Sequence, residues 1–139
     1  MARVIVGRVL VAGRGAGEAL VAGEPLSFWG GYDQRTGEII DRRHPLSGRI
    51  AAGRVLVIPG SRGSSTTSAV FLEAVRLGTA PAAVVTTQVD RFLALASIVA
   101  DEMFATPVPI VMIDPSDHAT IRDRQSVQVE PDGSIIVHD

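Results

Sequence analysis

The feature of this sequence that most constrains its fold is an alternation of apolar runs with helical patterns along the middle of the chain. Three short runs, at 55–58, 82–85 and 110–113, are apolar without the apolar–polar alternation of a half-exposed strand. Such runs are typical of strands buried on both faces of a sheet. Between them, residues 69–77 and 92–103 carry apolar side chains at helical spacing. This order of strand, helix, strand, helix and strand predicts an α/β domain with helices flanking the sheet.

Both ends of the chain add further predicted strands. Residues 3–11 are rich in β-branched side chains and predict a first strand with a bulge at Gly7, and residues 19–21 predict a second strand. Residues 127–137 alternate around a Pro-Asp-Gly turn and predict a hairpin. At 139 residues the chain has the length of one domain. The predicted fold class is therefore α/β: a single compact β/β/α domain over 1–139, with a mixed central sheet, flanking helices and a C-terminal β-hairpin.

Three other segments have structural interpretations. Residues 13–18 have the look of a dinucleotide-binding fingerprint, yet Glu18 stands where a third glycine is required and no helical pattern follows, so we predict a turn or flexible loop. The aromatic cluster at 28–32 predicts core packing, with a pocket or a partner surface as the alternative. The second helix is expected to begin after a cap at Asp90. It is expected to turn one apolar stripe toward the core, formed by Phe92, Leu95, Ala96, Val99 and Met103.

The histidines give no basis for a metal site. His44 lies three residues after Asp41 in a polar connection, which offers too few ligands for a metal. We predict an exposed loop histidine, with a substrate or interface contact as the alternative. Residues 114–118 include two Asp and one His, but Asp-Pro and Ser-Asp are common in turns, so we predict a turn with a helix cap. His138 lies near the end of the chain and is given no role. No metal ligand is assigned to this chain.

Two residue types are missing, and their absence excludes whole classes of chemistry. The chain has no Cys, so disulfides and thiolate chemistry are excluded, and any iron–sulfur cluster must be held by another chain. All 13 basic residues are Arg, so Schiff-base catalysis and a P-loop lysine are excluded as well. A net charge of -2 gives no electrostatic argument for nucleic acid. No apolar stretch approaches the roughly 18 residues that cross a bilayer, and we expect a cytoplasmic protein.

The segment 59–68, Pro-Gly-Ser-Arg-Gly-Ser-Ser-Thr-Thr-Ser, is the candidate functional site. It lies between a predicted strand and a predicted helix, where free backbone N–H groups and the helix dipole favour anions. Gly60 and Gly63 allow a ligand to approach the backbone closely, and Arg62 offers a guanidinium suited to carboxylate or phosphate. Helix capping is the alternative role, but a cap needs only one hydroxyl. The segment has six, on Ser61, Ser64, Ser65, Thr66, Thr67 and Ser68.

Five short segments between residues 17 and 83 resemble the aconitase X swivel-domain family, and the resemblance extends over nearly the whole chain. They are Gly-Glu-Ala-Leu-Val at 17–21, Pro-Leu-Ser-Phe-Trp-Gly-Gly-Tyr-Asp at 25–33, His-Pro-Leu at 44–46, Arg-Gly-Ser-Ser at 62–65 and Thr-Ala-Pro-Ala-Ala at 79–83. The resemblance implies a swivelling β/β/α domain that serves as the small subunit, or the fused small domain, of a dehydratase. The large subunit of such enzymes resembles aconitase and holds an iron or iron–sulfur centre, so no cofactor is expected in this chain.

The resemblance implies two activities. One is dehydration of cis-3-hydroxy-L-proline to Δ1-pyrroline-2-carboxylate, and the other is dehydration of mevalonate 5-phosphate. The pair Phe28-Trp29 and the absence of Lys look more like the hydroxyproline group, which we therefore prefer. In both cases the implied partners are an aconitase X-type large subunit and a small hydroxy-acid substrate, with no nucleic acid and no membrane.

The resemblance also implies a catalytic residue. The proposed base of the family is the serine directly after Arg-Gly, which is Ser64 in this sequence, and Ser65 remains the alternative. The family commonly has Gly at the position of Ser61, a departure that affects the shape of the loop without removing the base. A serine hydroxyl is a poor base and needs activation by nearby positive charge. The residues expected to bind the substrate are Arg62, Gly63, Ser65 and Thr66.

A different class of function stays open on residue type alone. The same loop could hold phosphate in a non-catalytic anion-binding regulatory module, which would bind its ligand without a partner chain. A serine hydrolase is disfavoured because the segment does not match Gly-x-Ser-x-Gly. A phosphohistidine carrier is disfavoured because none of the three histidines has glycine and hydroxyl neighbours.

Overall fold

The structure is a computed structural model that describes residues 1–139. Its strands are β1 (Ala2–Val6), β2 (Arg8–Val11), β3 (Gly15–Val21), β4 (Val55–Val57), β5 (Ala83–Thr86), β6 (Ile110–Met112), β7 (Ser126–Val129) and β8 (Ser134–His138). Its helices are α1 (Ser65–Leu77), α2 (Arg91–Phe104) and α3 (Pro115–His118). None of the helices is both long and apolar enough to cross a membrane.

The eight strands form one mixed sheet in the order β1-β8-β7-β3-β4-β5-β6-β2. The neighbours β3–β4, β4–β5 and β5–β6 are parallel, whereas the other pairs are antiparallel. β7 and β8 pair from Ser126↔His138 to Val129↔Ile135, which confirms the predicted C-terminal hairpin. The predicted α/β class with a mixed central sheet is therefore confirmed.

The first predicted strand is divided in two at Gly7. β1 and β2 stand at opposite ends of the strand order, although only Gly7 separates them in sequence. The chain bends there from pairing with β8 to pairing with β6, so the sheet nearly closes on itself. The N–H of Gly7 donates to the carbonyl oxygen of Gly133 over 3.0 Å. A Cβ on Gly7 would lie 2.3 Å from Cγ1 of Val111, so the bend has room only for glycine.

The sheet is buried on both faces. One face contributes to a core of 21 buried residues that includes Leu56, Phe71 and Leu93, and α1 and α2 lie over this face. The other face contributes to a second core of 13 buried residues that includes Val55 and Val57. Neighbouring residues of β4 thus enter different cores, which is why its apolar run has no polar alternation, as predicted.

The prediction of a turn or flexible loop at 13–18 is wrong, because β3 begins at Gly15. This strand pairs with β7 and with β4. A Cβ on Gly15 would lie 2.2 Å from the carbonyl oxygen of Ala82. A Cβ on Gly17 would lie 2.6 Å from the carbonyl oxygen of Gly53. The glycines are therefore positions where neighbouring backbone packs against a central strand.

α2 begins after Asp90 as predicted, but the predicted core stripe on this helix is wrong. Phe92, Leu95 and Met103 are 38%, 52% and 63% exposed, and of the predicted stripe only Ala96 is buried. The buried side of the helix consists of Leu93, Ala96, Ser97 and Ala100. Because apolar residues occur on two sides of α2, their periodicity does not identify the buried side.

The aromatic cluster is divided between the core and the surface. Phe28 and Tyr32 are buried with ring centroids 5.2 Å apart, and Phe28 also packs edge-on against Phe71 at 5.6 Å. Trp29 is 69% exposed. The prediction of core packing is confirmed for Phe28 and Tyr32 and is wrong for Trp29.

Candidate active site

The candidate segment 59–68 runs from the carboxyl end of β4 into α1. β4 and β5 are parallel, so the connections that follow them emerge at the same edge of the sheet, which is where ligands commonly bind in α/β folds. The two connections border one open depression of about 250 Å³. Its lining residues are Ser61, Gly63, Gln88, Val89, Asp90, Arg91 and Phe92.

Asp90 joins the two connections. Its side chain is buried, and Oδ2 accepts hydrogen bonds from both the backbone N–H and the hydroxyl of Ser61, each at 2.6 Å. Oδ1 accepts from the N–H of Leu93 at 3.0 Å and so caps α2. The sequence predicts the cap but not the contact with Ser61, because nothing in the sequence pairs two residues 29 positions apart. One carboxylate thus fixes the serine loop to the start of α2.

A second contact, with the backbone of Leu26, also holds the loop in place. The N–H of Leu26 donates to the carbonyl oxygen of Gly60 at 3.1 Å, and the N–H of Arg62 donates to the carbonyl oxygen of Leu26 at 2.9 Å. Leu26 is fully buried, so this backbone pairing is anchored in the core. Gly63 then adopts a φ of 124°, a conformation that L side chains rarely adopt. The chain therefore enters α1 through a turn that requires glycine at this position.

Ser64 occupies the N-cap of α1, which begins four residues before the predicted start at Ala69. The Ser64 side chain makes no capping hydrogen bond with the helix, although capping is the common role of serine at this position. Its Oγ lies 3.4 Å from Oγ1 of Thr66, and the residue is exposed. The hydroxyl of Ser64 is thus available to a ligand.

Four consecutive backbone N–H groups at this helix start have no acceptor within the chain. They belong to Gly63, Ser64, Ser65 and Thr66, and the first bond of the helix start is the one from the N–H of Thr67 to the carbonyl oxygen of Ser64 at 2.9 Å. Unpaired N–H groups at a helix N-terminus carry partial positive charge. Together with the exposed hydroxyls they are hydrogen-bond donors of the kind that binds anions at helix N-termini.

The six hydroxyls of the segment have different roles. Ser61 contacts Asp90, Thr67 is buried, and Ser68 donates to the backbone carbonyl oxygen of Phe92 at 2.7 Å. These three stabilise the loop and its contact with α2. The three that remain exposed are those of Ser64, Ser65 and Thr66, which are among the residues that the sequence predicted as the site.

Arg62 is exposed and forms no ion pair within the chain. Its side chain lines a second, polar depression of about 240 Å³, whereas the following residue, Gly63, lines the first. The other residues of this second depression are Glu24, Pro25, Asp41, Arg43 and His44. The loop therefore offers a free guanidinium on one side and free N–H groups at its end.

The prediction that His44 is an exposed loop histidine is wrong. The residue is 7% exposed, and its Nδ1 accepts from the N–H of Leu46 at 3.1 Å. Its Nε2 lies 3.2 Å from the carbonyl oxygen of Glu24, which places the ring proton on Nε2. The His-Pro-Leu turn folds back onto the chain before Leu26, so His44 supports the wall of the second depression.

His118 is a second buried histidine and lies apart from the loop. It ends α3, where a turn with a helix cap was predicted, but Asp114 at the N-cap makes no side-chain capping bond. Nε2 of His118 is buried without a hydrogen-bond partner, and burial lowers the pKa of this imidazole. No group of three or more His, Asp or Glu side chains is arranged to hold a metal ion.

Comparison with known proteins gives relatives that match nearly the whole chain. It is 54% identical over 112 residues to the cis-3-hydroxy-L-proline dehydratase of Pseudomonas aeruginosa, and the match covers 81% of this chain but only 19% of that protein. It is 40% identical over 128 residues to the phosphomevalonate dehydratase small subunit of Methanothermobacter thermautotrophicus, with 90% of this chain and 92% of that one covered.

A solved structure has the same fold. A chain in the crystal structure of Thermococcus kodakaraensis aconitase X (holo-form) superposes with a TM-score of 0.86 at 29% identity, and the match covers 99% of both chains. The family model of the aconitase X swivel domain matches residues 4–138. The resemblance found in the sequence is therefore confirmed, and the chain belongs to the aconitase X swivel-domain family.

Proposed function

We propose that this chain is the small subunit of a two-subunit hydro-lyase that dehydrates cis-3-hydroxy-L-proline to Δ1-pyrroline-2-carboxylate. The observation that carries the proposal is the exposed Ser64 hydroxyl, which is not used for capping and stands among four backbone N–H groups without acceptors. The relative that is 54% identical bears the name of this activity, and this chain spans 19% of its length. The other part of the active site would come from an aconitase X-type large subunit.

In the proposed reaction Ser64 is the base. Its Oγ takes the proton from Cα of the substrate, and the electrons of that C–H bond form the Cα=Cβ double bond. The β-hydroxyl leaves with the electrons of its C–O bond and takes up a proton from solvent to become water, and Ser64 returns the α-proton to solvent. The resulting enamine acid then tautomerises to the cyclic imine.

The surroundings of Ser64 favour this role. A serine hydroxyl acts as a base only when its anionic form is stabilised, and the positive end of α1 supplies partial positive charge at the N-cap position. The substrate carboxylate would bind to the free N–H groups of residues 63–66 and to the unpaired guanidinium of Arg62. Ser65 is exposed in the same turn and is the alternative base.

The family implies an iron or iron–sulfur centre, and the residues of this chain do not fit one. The chain has no Cys, and it has no cluster of three potential ligands. We therefore assign any such centre to the large subunit. The small subunit provides the base, the hydrogen-bond donors for the anion and part of the wall of the site.

The experiment is to co-produce the chain with its aconitase X-type large subunit and to assay the complex. The wild-type complex should dehydrate cis-3-hydroxy-L-proline, and Ser64→Ala should lower turnover by about 10² to 10⁴-fold, the usual contribution of general-base catalysis. Ser65→Ala tests the alternative base, and if Ser64 is the base this variant should lose much less turnover than Ser64→Ala. Near-normal turnover of the Ser64→Ala complex would remove Ser64 from this role, and a loss only in Ser65→Ala would transfer it to Ser65.

Dehydration of mevalonate 5-phosphate is the second candidate. It is favoured by the relative that is 40% identical, because that protein is a separate small subunit of nearly the same extent. Arg43 and Arg62 line the second depression and could contact a phosphate, although the carboxylates of Glu24 and Asp41 line it as well. The same complex should be assayed with both substrates, and the ratio of kcat/KM values decides between them.

A non-catalytic anion-binding module is the remaining alternative. It requires that the isolated chain bind inorganic phosphate, and that addition of the large subunit give no turnover of either substrate. We place the enzyme in the cytoplasm, and cell fractionation tests this part of the proposal.

A further inference from the structure

The exposed side of α2 carries an apolar face, which we call the α2 face. Its members are Phe92, Leu95, Ile98 and Met103 on the helix and Val89 just before it. Leu95 and Ile98 are about half exposed, at 52% and 50%. Exposed apolar residues that occur singly are ordinary on protein surfaces, but a contiguous group on one element indicates an interaction site.

Helix geometry places these side chains together. At 100° per residue, Phe92, Leu95 and Met103 fall within about 80° of one another around the helix axis, and Ile98 lies about 60° beyond Leu95, so the four span about 140°. The opposite side of α2 is already buried, through residues such as Leu93 and Ala100. A helix that is apolar on both sides is characteristic of a helix buried on both sides. The α2 face therefore lacks a covering partner within the chain.

The α2 face is continuous with the candidate active site. Val89 and Phe92 line the same depression as Ser61 and Gly63. The backbone carbonyl oxygen of Phe92 also accepts the hydrogen bond from Ser68, which ties the helix face to the serine segment. A chain that completes the site beside Ser64 would have to cross the N-terminal end of this face.

The known relatives also indicate what covers the face. The relative that is 54% identical has this domain in only 19% of its length, so a much larger body of chain accompanies the domain in that protein. A second copy of this chain would bring no residues that complete the site beyond those already present. A large partner that supplies the rest of the active site would cover the apolar face. It would also explain why the face adjoins the depression beside Ser64.

We propose that the α2 face is the docking surface for the aconitase X-type large subunit, an inference that rests on the proposed function. The matching surface of the partner would be an apolar groove. Arg91 stands at the start of α2 and Asp101 and Glu102 stand near its end, and none of them forms an ion pair within the chain. The groove should therefore carry acidic groups near the site and basic groups at its far end.

The test measures association instead of activity. Leu95→Glu and Ile98→Glu each place a charge on the face, and they should not unfold the chain because both side chains are half exposed and glutamate forms helices well. Val4→Glu is the matched control, since Val4 is 60% exposed on β1 and away from α2. Circular dichroism of each free chain confirms the fold before binding to the purified large subunit is measured by calorimetry.

We expect each α2 variant to weaken binding by about 10-fold or more, because this is the loss that accompanies one buried aliphatic side chain at an interface. Val4→Glu should bind as the wild type does. Wild-type affinity in both α2 variants would overturn the proposal. Self-association of the free chain that the α2 variants abolish would also overturn it and assign the face to a second copy. If the wild-type pair binds through the face but dehydrates neither substrate, the docking inference stands and the proposed function fails.

Discussion

Replacing Asp90 tests whether a buried carboxylate holds the serine loop in place. Asp90→Ala removes three hydrogen bonds, two from Ser61 and one from the N–H of Leu93. Loss of a helix N-cap costs about 1 kcal/mol, and a hydrogen bond to a charged group contributes about 1.5–3 kcal/mol. Because the three bonds share one carboxylate and are not additive, we expect the free energy of unfolding to fall by about 3–5 kcal/mol.

Asp90→Asn distinguishes the effect of the helix cap from the effect of the contact with Ser61. Asparagine is a good N-cap, and its amide oxygen can still accept from Leu93. Its NH₂ group would face the two donors of Ser61, so we expect a smaller loss of about 1–3 kcal/mol. Asp114→Ala is the matched control, because Asp114 stands at the N-cap of α3 without a side-chain capping bond, and it should change stability by less than about 0.5 kcal/mol.

Urea unfolding of the free chain, followed by circular dichroism, measures these differences. Turnover of the assembled complex is the second readout, since a loop released from α2 should misplace Ser64 and lower kcat in both Asp90 variants. If both variants unfold within about 0.5 kcal/mol of the wild type, the carboxylate does not hold the loop and the reasoning is refuted.

Two further predictions concern the turn before α1 and the core. Gly63→Ala forces an L side chain into a φ of 124° and should lower kcat of the complex by about 10-fold or more. Gly48→Ala introduces similar strain at a φ of 85° with no neighbouring atoms, and turnover should be retained, so equal losses would contradict the prediction. Burial raises the pKa of Tyr32, the only tyrosine. The unfolded chain releases the phenolic proton near pH 10, whereas the folded chain keeps it to a higher pH. The contribution of the protonated, buried Tyr32 to folding stability is therefore complete below about pH 10 and is lost as the pH rises above that value. Phenolate absorbance should therefore appear only with unfolding, and its appearance near pH 10 in the folded chain would contradict the assignment.

The parts of the fold that were predictable are those that local patterns determine. The unbroken apolar runs of β4 and β5 follow from burial on both faces of the sheet, and Asp90 could be recognised as a helix cap. β3 was not predictable, because its glycines resemble a turn and their role depends on backbone from distant parts of the chain. The apolar periodicity of α2 predicted a helix but not which side of it is buried. Periodicity cannot distinguish a side that faces the core from an apolar side that is exposed in the free chain.

The candidate site was likewise predictable only where local sequence patterns determine it. Residue types alone predicted an anion site at 59–68, and the family resemblance pointed to Ser64. Neither could reveal which hydroxyls are used within the chain, because the partners of Ser61 and Ser68 lie beyond residue 89. His44 was predicted as exposed because its turn is polar, whereas its burial depends on contacts with residues 20 positions earlier.

The most direct test of the account is release of the α-proton by the complex of this chain with its large subunit. With cis-3-hydroxy-L-proline deuterated at Cα, the wild-type complex should release deuterium to water during turnover. The Ser64→Ala complex should still bind the substrate but release deuterium about 10² to 10⁴-fold more slowly. Release at the wild-type rate from the Ser64→Ala complex would contradict the assignment of Ser64 as the base.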